Sequence, residues 1–197
     1  MKRVNHLLEK MTCPDNLRLA FWKAKKGKAT SQQVLRYRQR LDTNLRELRH
    51  QILLGEVNVG EYFYFKIYDP KEREICASAF SEQVLHHALM NVCHPYFDRV
   101  HIFDSYASRP GKGVHLAVKR AAKYTRQWPW YLKMDIRQFF ASIDHSILKG
   151  QLARLFKEHK LLGIFDQIID SYHRLGTKGL PIGNLSSQYF ANHYLTT

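Results

Sequence analysis

Apolar and polar residues alternate along this chain with a period that changes several times. Residues 17–54 carry a helical pattern, interrupted at Gly27, with Thr30 or Ser31 placed to cap the helix that follows. In that helix Val34, Leu41, Leu45 and Leu48 recur at spacings of seven, four and three, an apolar stripe among arginines. Gly55 and Gly60 punctuate its end. The period then drops to that of a strand. Tyr62-Phe-Tyr-Phe-Lys-Ile-Tyr68 is aromatic and β-prone, Asp69-Pro-Lys-Glu72 has turn composition, and Arg73-Glu-Ile-Cys-Ala77 reads as the returning arm of a hairpin. Residues 81–94 return to helical spacing through Val84, Leu85, Ala88, Leu89 and Val92, and Pro95 is expected to end that helix.

Downstream, Asp104-Ser-Tyr-Ala-Ser-Arg-Pro-Gly-Lys-Gly113 is a polar loop. It opens a helix whose buried face is expected to be Val114, Ala117, Val118, Ala121 and Ala122. Tyr131–Ile136 is expected to be a short strand. Helices are expected from about Asp144 to His159, from Leu161 to Leu175, and from Asn184 to Tyr194, with a turn-rich loop over 176–183.

Composition narrows the class. The 197 residues are 45% apolar and 13% aromatic, which excludes disorder along the whole chain. No stretch approaches the roughly 18 to 20 apolar residues of a membrane span, and no secretory signal follows Met1. Three cysteines make no disulfide framework, so a reducing, cytoplasmic setting is expected. The formal charge is +14, and it is regional. Residues 16–50 hold ten Lys or Arg against Asp42 and Glu47, a net of +8, and 112–126 hold five basic residues with no acid. Lys112, Lys119, Lys123 and Arg126 recur along one side of the helix there. Such concentration points to a polyanion, nucleic acid first.

Chemistry centres on Asp135. A carboxylate inside an apolar strand is costly unless a cation or metal meets it, and a divalent metal takes such hard oxygen ligands. A cap for the next turn is the equally open reading. Asp144 reads as a helix cap. The His86-His87 and Cys93-His94 pairs lack the spacing of a structural zinc site.

Five segments in order carry a resemblance. They are Phe65–Ile75, Val84–Ala88, Asp104–Gly113, Lys133–His145 and Leu180–Asn192. Together they resemble the N-terminal part of bacterial reverse transcriptases, of the diversity-generating retroelement type, with group II intron and retron relatives. The resemblance implies an α/β fold: a basic helical region over 1–58, fingers with a β-hairpin over 59–130, and a partial palm over 131–197.

It further implies that Arg73 and Lys66 contact the triphosphate of an incoming nucleotide. Asp135 would be a catalytic Mg²⁺ or Mn²⁺ ligand, joined by the carbonyl of Ile136. Phe140 would exclude a ribose 2′-OH, with two packed aromatics at 139–140 as the plain alternative. Ile182 and Gly183 would line the nucleotide and template groove. Arg109, Lys112, Lys119, Lys123, Arg126, Ser187 and Gln188 would hold nucleic acid. Ile182 and Gln188 stand where many members have Gln and Pro, which is what suggests the diversity-generating lineage. The implied partners are an RNA template, a DNA or RNA primer, a deoxynucleoside triphosphate and an accessory protein. The parent reaction is template-directed nucleotidyl transfer with two metal ions. The chain holds no Asp-Asp pair and no thumb region, so an incomplete site, inactive by itself, is expected. A non-catalytic RNA-binding module, or an inactive remnant, is the alternative.

Overall fold

The computed structural model describes residues 2–68, 72–172 and 176–196. Helices α1 (Leu8–Met11), α2 (Pro14–Ala24), α3 (Gln32–Gln39) and α4 (Leu41–Leu54) come first. Pro14 opens α2 at a position where its missing N–H costs nothing. Ser31 caps α3 as its side chain accepts from the Val34 amide. Gly55 ends α4 in the left-handed conformation at φ +81°, and its amide reaches the Gln51 and Ile52 carbonyls.

The single helix expected across Val34–Leu48 is two, broken at Arg40 (φ −119°, ψ 35°). Packing explains the break. Tyr37 turns inward to stack on Phe21 and meet Phe80 edge-on at 5.2 Å, and Asn44 Nδ2 donates to the Tyr37 carbonyl that the break frees.

Strands β1 (Tyr62–Tyr68) and β2 (Glu72–Ser78) form the antiparallel hairpin. The turn at 69–71 lies outside the described residues. Helix α5 (Phe80–Val100) follows and continues past Pro95. The proline removes one internal hydrogen bond, at roughly 3 kcal/mol, and the aromatic burial beyond it offsets the loss. Phe97 is fully buried, 5.4 Å from the rings of both Phe156 and His193 and 5.6 Å from Tyr189. Asn16 stitches α2 to α5 by donating to the Ala88 carbonyl at 3.0 Å and accepting from Asn91.

Helix α6 (Val114–Thr125) departs from the expected pattern, since it buries no residue. Val114 is 70% and Val118 62% exposed, because no described element packs on that face. The expected strand at 131–136 is also absent. Tyr131, Leu132, Met134 and Ile136 are exposed and unpaired in any ladder, and the hairpin is the only sheet among the described residues. A strand exists only through a neighbour to pair with.

Helices α7 (Phe139–Ser142), α8 (His145–Leu155), α9 (His159–Asp170) and α10 (Leu185–Tyr194) complete the chain. Asp144 caps α8, as its composition suggests, by accepting from the Ser146 and Ile147 amides. One apolar core joins residues from Leu7 to Ala191, with α5 packed against α1, α2, α3 and α10. Val4 pairs with Phe156, and the Leu7 amide donates to Glu158, which ties the first residues to the α8–α9 junction. No helix of the described residues is long and apolar enough to cross a membrane.

Burial holds three imidazoles neutral: His87 and His101 are each pushed down to about 4, and His193 is lowered too. An unfolded histidine titrates near pH 6.5, so the unfolded chain binds more protons below that pH. Stability is therefore fully present above pH 6.5 and is lost as pH falls toward about 4. A melting temperature lower at pH 5.0 than at pH 7.5 is expected by circular dichroism; an unchanged one would contradict neutral buried histidines.

Candidate nucleic-acid interface at the base of the hairpin

The hairpin register sorts its side chains onto two faces. Phe63 faces Ala77, Phe65 faces Ile75 and Ile67 faces Arg73, so these six share one side. Tyr62, Tyr64, Lys66 and Tyr68 share the other with Glu72, Glu74, Cys76 and Ser78. Near the base that second side turns to the core, where Cys76 and Ser78 are buried and the Tyr62 hydroxyl meets Ser171 Oγ at 2.6 Å.

The outer edge of β2 is occupied. The Cys76 amide donates to the Ile182 carbonyl at 2.8 Å, so the turn before α10 takes the place of a third strand for one residue. Gly183 makes that approach feasible. Its φ is +134°, and a Cβ there would sit 2.6 Å from the Cys76 carbonyl oxygen. A side chain would have to push β2 away.

Glu82 locks the same junction from beneath. It is buried with its partner His86, each side chain about 1% exposed, and accepts from His86 Nε2 at 3.2 Å. It also accepts from the Gly60 amide at 2.9 Å and from Asn184 Nδ2 at 3.5 Å. One carboxylate thus joins the approach to β1, helix α5 and the N-cap of α10. An isolated charge there would cost several kcal/mol, and three donors make it tolerable. Asn184 sits at the N-cap position, but its amide serves Glu82 rather than the helix.

Between these parts lies a cleft of about 300 Å³. Phe65, Ile75, Ala77 and Gly183 form one wall, and Lys28, Gln83, His86 and His87 the other. Lys28 bonds Gln83 Oε1, and burial lowers its pKa. His87 is neutral at pH 7 through burial and the nearby Lys23, His86 and Lys28. The cleft therefore pairs an apolar wall with a wall of amide, imidazole and one ammonium group.

The expected site residues divide around it. Gly183 lines the cleft and Ile182 holds β2 beside it. Arg73 extends from the cleft-facing side of the hairpin, whereas Lys66 lies on the opposite face in an ion pair with Glu72. Phe140 is half-buried against Phe139, and its carbonyl accepts from the Leu180 amide. Asp135 and Ile136 lie on the exposed segment before α7. Arg109 is turned inward, 9% exposed, bonding Asp98 and the Ile102 and Ser105 carbonyls. Lys112 donates to the Phe103 carbonyl and lies over the Phe103 ring. Lys119, Lys123 and Arg126 are exposed on or next to α6. Ser187 is buried, and Gln188 accepts from Ser108, which docks the glycine-rich loop on α10.

Lys28 and Gln83 line the cleft and Glu82 anchors the junction beside it, though no sequence motif marks any of the three. Glu82 had a signal: an acid four residues before His86, on a helix face that is otherwise apolar. Among the described residues no group of three or more His, Cys, Asp or Glu is placed to hold a metal. Asp135 therefore has no such group around it among the described residues.

No family model matches the chain. It is 23% identical over 87 residues to nuclear intron maturase 1, mitochondrial, of Arabidopsis thaliana, covering 44% of this chain and 12% of the maturase. It is 25% identical over 104 residues to the uncharacterized mitochondrial protein ymf11 of Marchantia polymorpha, 53% of this chain and 14% of that protein. A chain of a partial Cas6-RT-Cas1–Cas2 complex superposes with a TM-score of 0.60 at 19% identity, covering 97% of this chain and 34% of the other. The fold is shared with that chain. The matched region spans about an eighth of the curated relatives' length.

Gly183→Ala tests the junction. The change forces a strained backbone and a contact with Cys76, so a loss of about 1–3 kcal/mol is expected in urea unfolding. Amide exchange at Cys76 would accelerate alongside. A variant as stable as the parent would show that β2 does not depend on this approach.

Proposed function

We propose that this chain is the fingers and the front of the palm of a reverse-transcriptase-related protein, and that its cleft holds the template strand. The observation that carries the reading is the junction of β2 with Ile182 and Gly183, which opens a one-sided apolar cleft beside the hairpin. A nucleobase would lie against Phe65, Ile75 and the bare backbone of Gly183, with Lys28 and Gln83 toward its sugar and phosphate. Arg73 would meet the triphosphate of an incoming deoxynucleotide, and Lys66 would contribute field from the far face. Lys119, Lys123 and Arg126 would track the strand backbone.

In this reading Asp135 and the Ile136 carbonyl would bind one Mg²⁺ or Mn²⁺ ion, which supplies Lewis-acid stabilisation of phosphoryl transfer when bound. Phe140 would close the sugar site against a 2′-OH. The remaining carboxylates would come from elsewhere, and no catalytic step is assigned to this chain alone. The diversity-generating lineage is proposed on Ile182 and Gln188, and a cytoplasmic setting on three free cysteines. A protein partner is in keeping with a fold neighbour that belongs to a complex. A non-catalytic RNA-binding module is the second reading, favoured by the lack of a metal-holding cluster among the described residues.

RNA affinity measured by fluorescence anisotropy is expected to weaken at least tenfold between 50 and 200 mM salt, since each neutralised phosphate releases counterions. Changing Lys119, Lys123 and Arg126 to Ala should flatten the slope of log affinity against log salt by roughly two to three. An affinity indifferent to salt sinks the proposal. Primer extension separates the two readings: incorporation lost on Asp135→Ala supports catalysis, whereas RNA binding without extension supports the module.

A further inference from the structure

The most basic part of the chain is not at the hairpin. It is the α2–α4 region, and there the two helices leave a groove of about 410 Å³ between them. Its floor is Pro14, Leu17 and Leu45; its rim is Arg18, Arg46 and Arg49, with Asp42 at one end. We propose that this groove docks an acidic amphipathic helix of a partner protein.

The argument is one of shape and charge together. Arg46 and Arg49 lie three residues apart on one face of α4, and both are exposed. Among the described residues neither forms an ion pair. Arg18 faces them from α2, and its guanidinium binds the Asp42 carboxylate at 2.8 Å, which shows how this rim takes a carboxylate. Two guanidinium groups one turn apart match carboxylates spaced by three or four residues on a helix. Beneath them the apolar floor rewards leucine-sized side chains, and a volume of this size lies in the range of binding clefts, about 300–1,000 Å³.

A nucleic-acid strand fits less well. Its phosphates gain from the arginines but nothing from Pro14, Leu17 and Leu45, and evenly spaced charge would run onto the Asp42 carboxylate. A peptide places its carboxylates at chosen points and inserts apolar side chains between them. This surface involves none of the cleft residues, so the proposal stands apart from the reading of the hairpin.

The probe is a labelled synthetic helix of about four turns, with leucines on one face and flanking glutamates. Anisotropy titration of the full chain should show saturable binding, weakened at least tenfold in Arg46→Glu/Arg49→Glu and absent for a probe with lysines in place of glutamates. All the substituted side chains are exposed, and an unchanged circular dichroism spectrum checks the fold. Three outcomes overturn the proposal. The probe fails to bind saturably, the lysine probe binds equally well, or the charge reversal weakens an RNA oligonucleotide as much as the peptide, which would make nucleic acid the occupant.

Discussion

The contact between β2 and the turn before α10 is the constraint on which the rest depends. A single amide–carbonyl bond from Cys76 to Ile182 contributes only about 1 kcal/mol on its own. Its importance is geometric. It forms because Gly183 lets two backbones approach to a distance that any Cβ would prevent. Without it the hairpin would be anchored mainly at its base, since two strands alone are marginal in water. With it, the cleft-facing side of the hairpin acquires an opposite wall.

The helical core makes that contact reproducible. Helix α5 is packed on both sides, by α2 and α3 from the N-terminal region and by α10 from the far end of the chain. Glu82 and His86 project from α5 directly under the junction, so the buried carboxylate reads the position of Gly60 and Asn184 at once. Losing one of these donors leaves the other two on the buried carboxylate, at a cost of roughly 1–3 kcal/mol for the partner lost. Arg46 and Arg49 on α4 and Lys119 and Lys123 on α6 are exposed, where they can meet a polyanion or an acidic partner, whereas Arg18 and Arg120 already bind Asp42 and Asp104.

Much of this was legible from periodicity. The hairpin arms, the helix that Ser31 caps, the Asp144 cap and the helices after it follow from local pattern. The failures share a cause. The helix continues past Pro95, and the helix through Val34–Leu48 breaks at Arg40, because aromatic packing of Phe97 and Tyr37, which no window of sequence displays, overrules the local rules. The apolar faces of α6 and of 131–136 have the pattern of buried ones, yet burial needs a partner, and none of the described elements supplies it. At the site, Gly183 is expected to line the nucleotide groove, and its approach to the Cys76 backbone of β2 is a contact that the sequence does not display. Arg73 and Lys66 are both expected at a triphosphate, Arg73 foremost, and the register places them on opposite faces of the hairpin. Glu82 stayed hidden since a single acid in a helix ordinarily faces solvent.

The most direct test of the account is where RNA lies on the protein. Ultraviolet crosslinking of a bound RNA oligonucleotide, followed by peptide mapping, should place crosslinks on the segments carrying Phe65 and His87, on the two walls of the cleft. Crosslinks confined to α6 and the exposed residues 128–136 would contradict it, and would leave the hairpin junction as a structural feature alone.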